Sequence, residues 1–271
     1  MLRDITLGQY YQTESLIHRL DPRVKLAGTL LYIISLFFFK NFIGYLIAAL
    51  FLALTIRLSR VPFRFMVKGM RAVLFLLLIT VVFNLFLTPG ETLVSVWKLT
   101  ITKEGLRAAA TMAVRLMLLV VGSSVMTLTT TPNNLTDGME KGMRPLKLFR
   151  VPVHEVAMMM SIALRFIPIL LEETDRIMKA QLARGADFES GNILKRAKAL
   201  VPLLIPLFIA AFRRANDLAM AMESRCYRGG EGRTKMKPLV YKRRDRIAYL
   251  CILAYLAASI FLGRLELPAV W

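Results

Sequence analysis

HEVAMMMSIALRFIPILLEETDRIMKAQLARG, residues 154–185, and ILKRAKALVPLLIPLFIAAFRRANDLAMAMESRC, residues 193–226, decide how the rest of the chain is read. Each mixes apolar residues with internal proline (Pro168; Pro202 and Pro206) and closes on an arginine between two small residues, Ala183-Arg184-Gly185 and Ser224-Arg225-Cys226. Apolar positions recur at three- and four-residue steps, Ile167, Leu170, Leu171, Met178 and Leu182 in the first and Leu204, Phe208, Ala211, Ala215, Leu218 and Met222 in the second. That spacing predicts two helices with one-sided apolar stripes. A helix of about 30 residues runs ~45 Å, and the prolines should kink it. Gly185 and the Gly229-Gly230 pair act as stops just past the arginines. A single arginine in a last helical turn gains about 0.3–1 kcal/mol from the helix dipole and needs no partner. Two such ends, each flanked by side chains too small to hold a neighbour away, point instead to insertion into grooves of two partners. The chain is therefore expected to transmit force between partners and to carry out no chemistry itself.

Working outward, 56% apolar residues and a mean hydropathy of +0.54 exceed what a soluble domain of 271 residues carries, so the chain belongs in a membrane. Apolar runs at 24–39, 41–56, 72–87, 106–128 and 247–262 are each about long enough to cross ~30 Å of hydrocarbon with some tilt, giving about five spans. The formal net charge of +19 is unevenly placed. Arg57, Arg60, Arg64, Lys68 and Arg71 lie between the second and third runs without an acidic residue, whereas the 88–105 loop balances Lys98 and Lys103 against Glu91 and Glu104. By the positive-inside rule the first loop is cytoplasmic and the second external, which makes the N-terminus cytoplasmic. Residues 130–246, with 22 Lys or Arg against 12 Asp or Glu, fall on the cytoplasmic side as well. Orientation thus accounts for the charge. Nucleic-acid binding would need a recognisable module or interleaved stacking aromatics, and none is present.

The segments 156–171 and 199–212 approach the hydropathy of spans, but the first is interrupted by Arg165 and runs into Glu172, Glu173, Asp175 and Arg176, and the second is short and holds two prolines. Both are expected to be helices buried in protein or at the membrane surface. The expected fold is an all-α membrane protein: transmembrane helices one to four in 1–130, a cytoplasmic helical coupling domain with two long arginine-tipped helices in 131–245, and a C-terminal transmembrane helix in 246–271. No signal peptide is expected, since Arg3, Asp4, Glu14 and Arg19 interrupt the first twenty residues.

Asp21-Pro22 has the form of a helix start, Asp as N-cap and Pro in the first position. Arg115 is an intramembrane charge for which the sequence names no carboxylate. The fifteen methionines suit ordinary packing or an adaptable partner surface. Cys226 and Cys251 are expected to stay reduced, and His18 and His154 are isolated, so neither a metal nor another cofactor is expected. The phosphate-binding Gly-rich run, the Gly-x-Ser-x-Gly elbow and paired intramembrane carboxylates are all missing, which leaves no enzyme reading. The alternative is a self-sufficient secondary carrier or channel, which would need polar residues along a midplane path and would leave the cytoplasmic part unexplained.

Three stretches carry a family resemblance: His18-Arg19-Leu20-Asp21-Pro22-Arg23-Val24-Lys25-Leu26, the segment from Ala163-Leu164-Arg165-Phe166-Ile167-Pro168 to Gln181-Leu182-Ala183-Arg184-Gly185-Ala186, and Ala219-Met220-Ala221-Met222-Glu223-Ser224-Arg225 with Tyr227-Arg228-Gly229. Together they resemble the transmembrane T component of energy-coupling factor transporters, the EcfT family, over essentially the whole chain. The resemblance implies an importer module with two ABC-type ATPases below, this scaffold in and under the membrane, and a small substrate-capture membrane protein for a vitamin or metal ion. It further implies that Arg184 and Arg225 are coupling residues docking in the two ATPases. The Ser-Arg-Cys end departs from the family's Ala-Arg-small form while keeping small flanks.

Overall fold

A computed structural model describes residues 10–39, 42–96, 99–188, 192–230, 236 and 238–264. The chain divides into two compact units, one formed by 8–141 with 239–271 and the other centred on 142–238.

In the first unit every expected span is a helix: α1 Pro22–Phe38, α2 Phe42–Ser59, α3 Phe63–Leu87, α4 Lys103–Thr129 and α8 Arg243–Arg264, with a short α5, Pro132–Gly142, following α4. Helices α1, α2, α4 and α8 enclose the core, where Tyr32, Leu36, Ala48, Leu52, Val121, Val125, Leu128 and Tyr255 are buried. Phe51 stacks on Tyr255 with ring centroids 4.5 Å apart, and the Ser35 and Tyr255 hydroxyls are hydrogen-bonded at 2.7 Å. α4 approaches α1 closely because Gly122 lacks a side chain; a Cβ there would sit 2.6 Å from the Tyr32 ring. Phe37, Leu46, Leu50, Leu54, Phe75, Leu78 and Phe261 stay exposed on the outside. Helices apolar all round, with every backbone group bonded within the helix, are what a bilayer requires.

The start of α1 and the start of α8 are tied together. Asp21 caps α1, accepting from the Arg23 amide at 2.9 Å, with Pro22 opening the helix as expected. The fully buried Asp245 carboxylate accepts from the Lys242 amide at 2.7 Å, the backward half of a capping box on α8. Its other oxygen accepts from the Asp21 amide at 2.9 Å. Arg23 completes the joint, donating to Asp21 and to the Leu239 carbonyl and lying over the Tyr241 ring.

The 88–105 loop holds an element beyond its charges, a two-stranded antiparallel hairpin, β1 Thr92–Val96 with β2 Leu99–Thr102. Threonine, valine and isoleucine crowd these nine positions, and β-branched residues favour a pleated strand. Thr102 then caps α4, accepting from the Gly105 amide at 3.0 Å.

The second unit has a 3-10 turn, Arg144–Phe149, and two long helices, α6 Val153–Ala183 and α7 Ile193–Ser224. Both run unbroken through their prolines. Among the described residues, α2, α4, α6 and residues Lys198–Ser224 of α7 are long and apolar enough to cross a membrane by length and composition. The segments 156–171 and 199–212 lie within α6 and α7, the two long helices expected over 154–185 and 193–226.

Candidate coupling site

The two arginine-bearing ends share one backbone design. At the end of α6 the Ala186 amide donates to the Gln181 carbonyl and the Gly185 amide to the Leu182 carbonyl, each at 3.0 Å. At the end of α7 the Tyr227 amide donates to the Met222 carbonyl at 3.0 Å and the Cys226 amide to the Glu223 carbonyl at 2.8 Å. Both are Schellman motifs, whose six-to-one and five-to-two bonds satisfy the carbonyls left over at a helix end. In each, the small-Arg-small triplet occupies the last helical residue, the C-cap and the following left-handed residue. Arg184 and Arg225 are the two C-caps, and the third position has positive φ, 87° at Gly185 and 56° at Cys226. The backbone thus accounts for Gly185, which is at ease in the left-handed region, whereas Cys226 holds the same conformation at a cost. Ala183, Arg184, Gly185, Ser224, Arg225 and Cys226 are all exposed. Both arginines stand at the negative end of a helix dipole, a position that favours a cation.

The structure does not bring the two triplets together. Gln181 of α6 donates to the Pro202 carbonyl of α7 at 3.5 Å, and Arg214 of α7 pairs with Glu173 of α6 at 3.5 Å. Contacts that fall in α6 while they rise in α7 mean that the helices are antiparallel, so Arg184 and Arg225 lie at opposite ends of the pair. Each arginine is eleven residues from the Glu173–Arg214 contact, which at 1.5 Å per residue places them on the order of 30 Å apart. The Gln181 bond has a local cause. Pro206 has no N–H for the carbonyl four residues back, Pro202, and the side chain from α6 supplies the missing donor. Sequence reasoning did not find Gln181, Glu173 or Arg214, because each works through a residue of the other helix.

Arg115, unpartnered in the sequence reading, donates from Nε and Nη2 to the Tyr45 hydroxyl at 2.9 and 2.6 Å. Tyr45 passes its own proton toward the Phe39 carbonyl at 3.2 Å, and the Phe37 ring lies 5.7 Å from the guanidinium. A phenol in place of a carboxylate answers the intramembrane charge. Cys226 and Cys251 are both free and exposed. Among the described residues no group of His, Cys, Asp and Glu is arranged to hold a metal ion.

These features define a multi-pass helical membrane protein with an antiparallel, proline-bearing helix pair that presents an arginine cap at either end. Residues 13–236 match the family described as cobalt transport protein, CbiQ. The energy-coupling factor transporter transmembrane protein EcfT of Clostridium kluyveri is 54% identical over 262 residues, 96% of this chain and 97% of its own. Its counterpart in Acidaminococcus fermentans is 52% identical over 270 residues, 99% and 100% of the two chains, and that of Bacillus subtilis 43% identical over 263 residues, 97% and 99%. The chain belongs to this family of energy-coupling factor transporter transmembrane proteins.

Proposed function

We propose that this chain is the non-catalytic scaffold of an importer, converting ATP hydrolysis by two cytoplasmic ABC-type ATPases into movement of a separate membrane protein that captures a vitamin or metal ion. The observation that carries the reading is the pair of identical C-cap arginines about 30 Å apart at opposite ends of one helix pair. Two sites so far apart suit two subunits and are too distant for one groove. Arginine suits the role because it is always charged and makes forked contacts to carboxylates or carbonyls. Approach of the two ATPases toward each other would act on opposite ends of the pair, so α6 and α7 would shift past one another beneath the capture protein. Leu204, Ile205, Phe208, Ile209 and Phe212 of α7 form an exposed apolar surface for that protein or for lipid.

In this reading residues 131–245 form the cytoplasmic coupling part, and the N-terminus is cytoplasmic. The orientation is supported by the exposed Arg57 and Arg60 at the end of α2 and the Lys242–Arg246 cluster at the start of α8, against the hairpin side, where Lys103 pairs with Glu91 at 3.5 Å. The hydropathy of α6 and α7 favours one competing reading, a carrier that works alone. Both are tested by recovering the chain from its native membranes in mild detergent and identifying its companions by mass spectrometry. Two ABC-type ATPases with the native chain but not with the Arg184→Ala, Arg225→Ala double variant is the expected result. Loss of one buried interfacial charge contact costs about 2–5 kcal/mol, at least a roughly 30-fold fall in affinity. A native chain that comes down alone and moves solute after reconstitution would establish the carrier instead.

A further inference from the structure

Between α1, α2, α4 and α8 lies a cavity of about 370 Å³, in the size range of small-molecule sites, ~300–1,000 Å³. Its walls are almost wholly apolar, and its cationic groups gather at one end: Lys25 from the first turns of α1 and Arg244 from the first turn of α8. On the outer side it is bordered by the exposed side chains of Leu54 and Leu58 on α2 and Ile247 on α8, so it faces whatever surrounds the bundle. Two of the three Lys25 ammonium protons are engaged by the His18 and Thr129 carbonyls, at 3.2 and 2.8 Å. The Arg244 Nε is buried and has no partner among the described residues. A buried guanidinium N–H without an acceptor is costly, and an acceptor entering the cavity would relieve that cost.

We infer that this cavity holds one anionic phospholipid, an acyl chain along the apolar walls and the phosphate at the end bearing Lys25 and Arg244. The charge complementarity selects the occupant. A neutral apolar segment of protein would leave the Arg244 N–H unmet, and a free phosphate would leave the apolar walls empty. The depth agrees: from Lys25 to the buried Tyr32 is seven residues of α1, ~10 Å along the helix axis, which takes the upper part of a chain below its headgroup. Basic pockets between transmembrane helices are a recurrent form of anionic-lipid site. On the orientation proposed above, the lipid comes from the cytoplasmic leaflet; the binding itself does not depend on that orientation.

The test is native mass spectrometry of the full-length chain, delipidated in detergent and offered palmitoyl-oleoyl phosphatidylglycerol and palmitoyl-oleoyl phosphatidylcholine in equal amounts. One phosphatidylglycerol per chain, preferred over phosphatidylcholine, is expected. Arg244→Gln lowers that preference about fivefold, the equivalent of ~1 kcal/mol for one basic residue, and the exposed neighbour Arg246→Gln leaves it unchanged. Thr55→Phe, which fills the cavity, removes the bound lipid with helix content intact. Equal retention of the two lipids by the native chain, or an equal loss in both arginine variants, would show diffuse surface attraction and overturn the assignment. So would displacement by glycerol phosphate as efficient as by the whole lipid, or a lipid-free chain that self-associates over this face.

Discussion

The Schellman ends make an asymmetric prediction about their third residues. Gly185 and Cys226 occupy equivalent left-handed positions, φ 87° and 56°, but only glycine is at ease there. A side chain in this region costs about 1–2 kcal/mol. Glycine gives back about 0.4–1 kcal/mol of that through the greater freedom of the unfolded chain. Cys226→Gly should therefore tighten the end of α7 by roughly 0.5–1 kcal/mol net, and Gly185→Ala should loosen the end of α6 by a similar amount. The second change introduces no clash, since a Cβ at Gly185 meets nothing within 4 Å. Its whole effect is therefore conformational.

The readout is amide hydrogen exchange at the donors that close the motifs, because local opening reports a helix end without requiring reversible unfolding in detergent. Protection at Cys226 and Tyr227 should rise about two- to fivefold when position 226 is glycine, and protection at Ala186 should fall about two- to fivefold in Gly185→Ala. Alanine is still small, so if these flanks were needed only to clear a partner, Gly185→Ala would leave the proposed ATPase binding unchanged. If the turn aims the arginine, binding weakens along with protection. Unchanged protection in both variants would refute the backbone explanation of the triplets.

Asp245→Ala removes a capping-box acceptor and strands the Asp21 amide, which should cost about 2–4 kcal/mol and appear as a lower thermal midpoint in detergent, with Asp245→Asn intermediate. Tyr45→Phe leaves the Arg115 guanidinium without its acceptor and should destabilise by about 1.5–3 kcal/mol, whereas Arg115→Met, which removes the charge itself, should cost less; the reverse order would mean that Tyr45 is not what holds Arg115. His18, whose Nε2 donates to the Tyr11 carbonyl while Nδ1 faces the Ser15 hydroxyl, has its pKa pushed below the usual 6.5 by burial and by the Lys25 charge, against opposing pulls from the Tyr11 and Leu128 backbone. A depressed pKa means that the unfolded chain binds the proton more readily, so stability is full above pH 6.5 and is lost as pH falls through the lower folded value. Melting between pH 7.5 and 5.5 should show this loss, and His18→Gln should flatten it.

The five helices expected from apolar runs and the start of α1 were legible because each is written locally, in an unbroken apolar run or in the pair Asp21-Pro22. The arginine ends were legible for a related reason: a helix stop is a matter of a few consecutive residues, and Gly185 declares one. Cys226 hid its role, since nothing in its chemistry announces a left-handed backbone; only the match of the Tyr227–Met222 bond to the Ala186–Gln181 bond reveals it. The joint between Asp21 and Asp245 spans 224 residues of sequence and leaves no periodic trace. The antiparallel sense of α6 and α7 is the consequential case. Read along the chain, two arginine-tipped helices suggest two prongs pointing the same way. The Gln181–Pro202 and Glu173–Arg214 contacts reverse one of them. A pair of prongs can only be pushed together or apart at its tips, whereas an antiparallel pair held near its middle turns two converging forces into sliding along its whole length. Sliding is the motion that the exposed apolar surface of α7 needs if it is to carry another membrane protein with it.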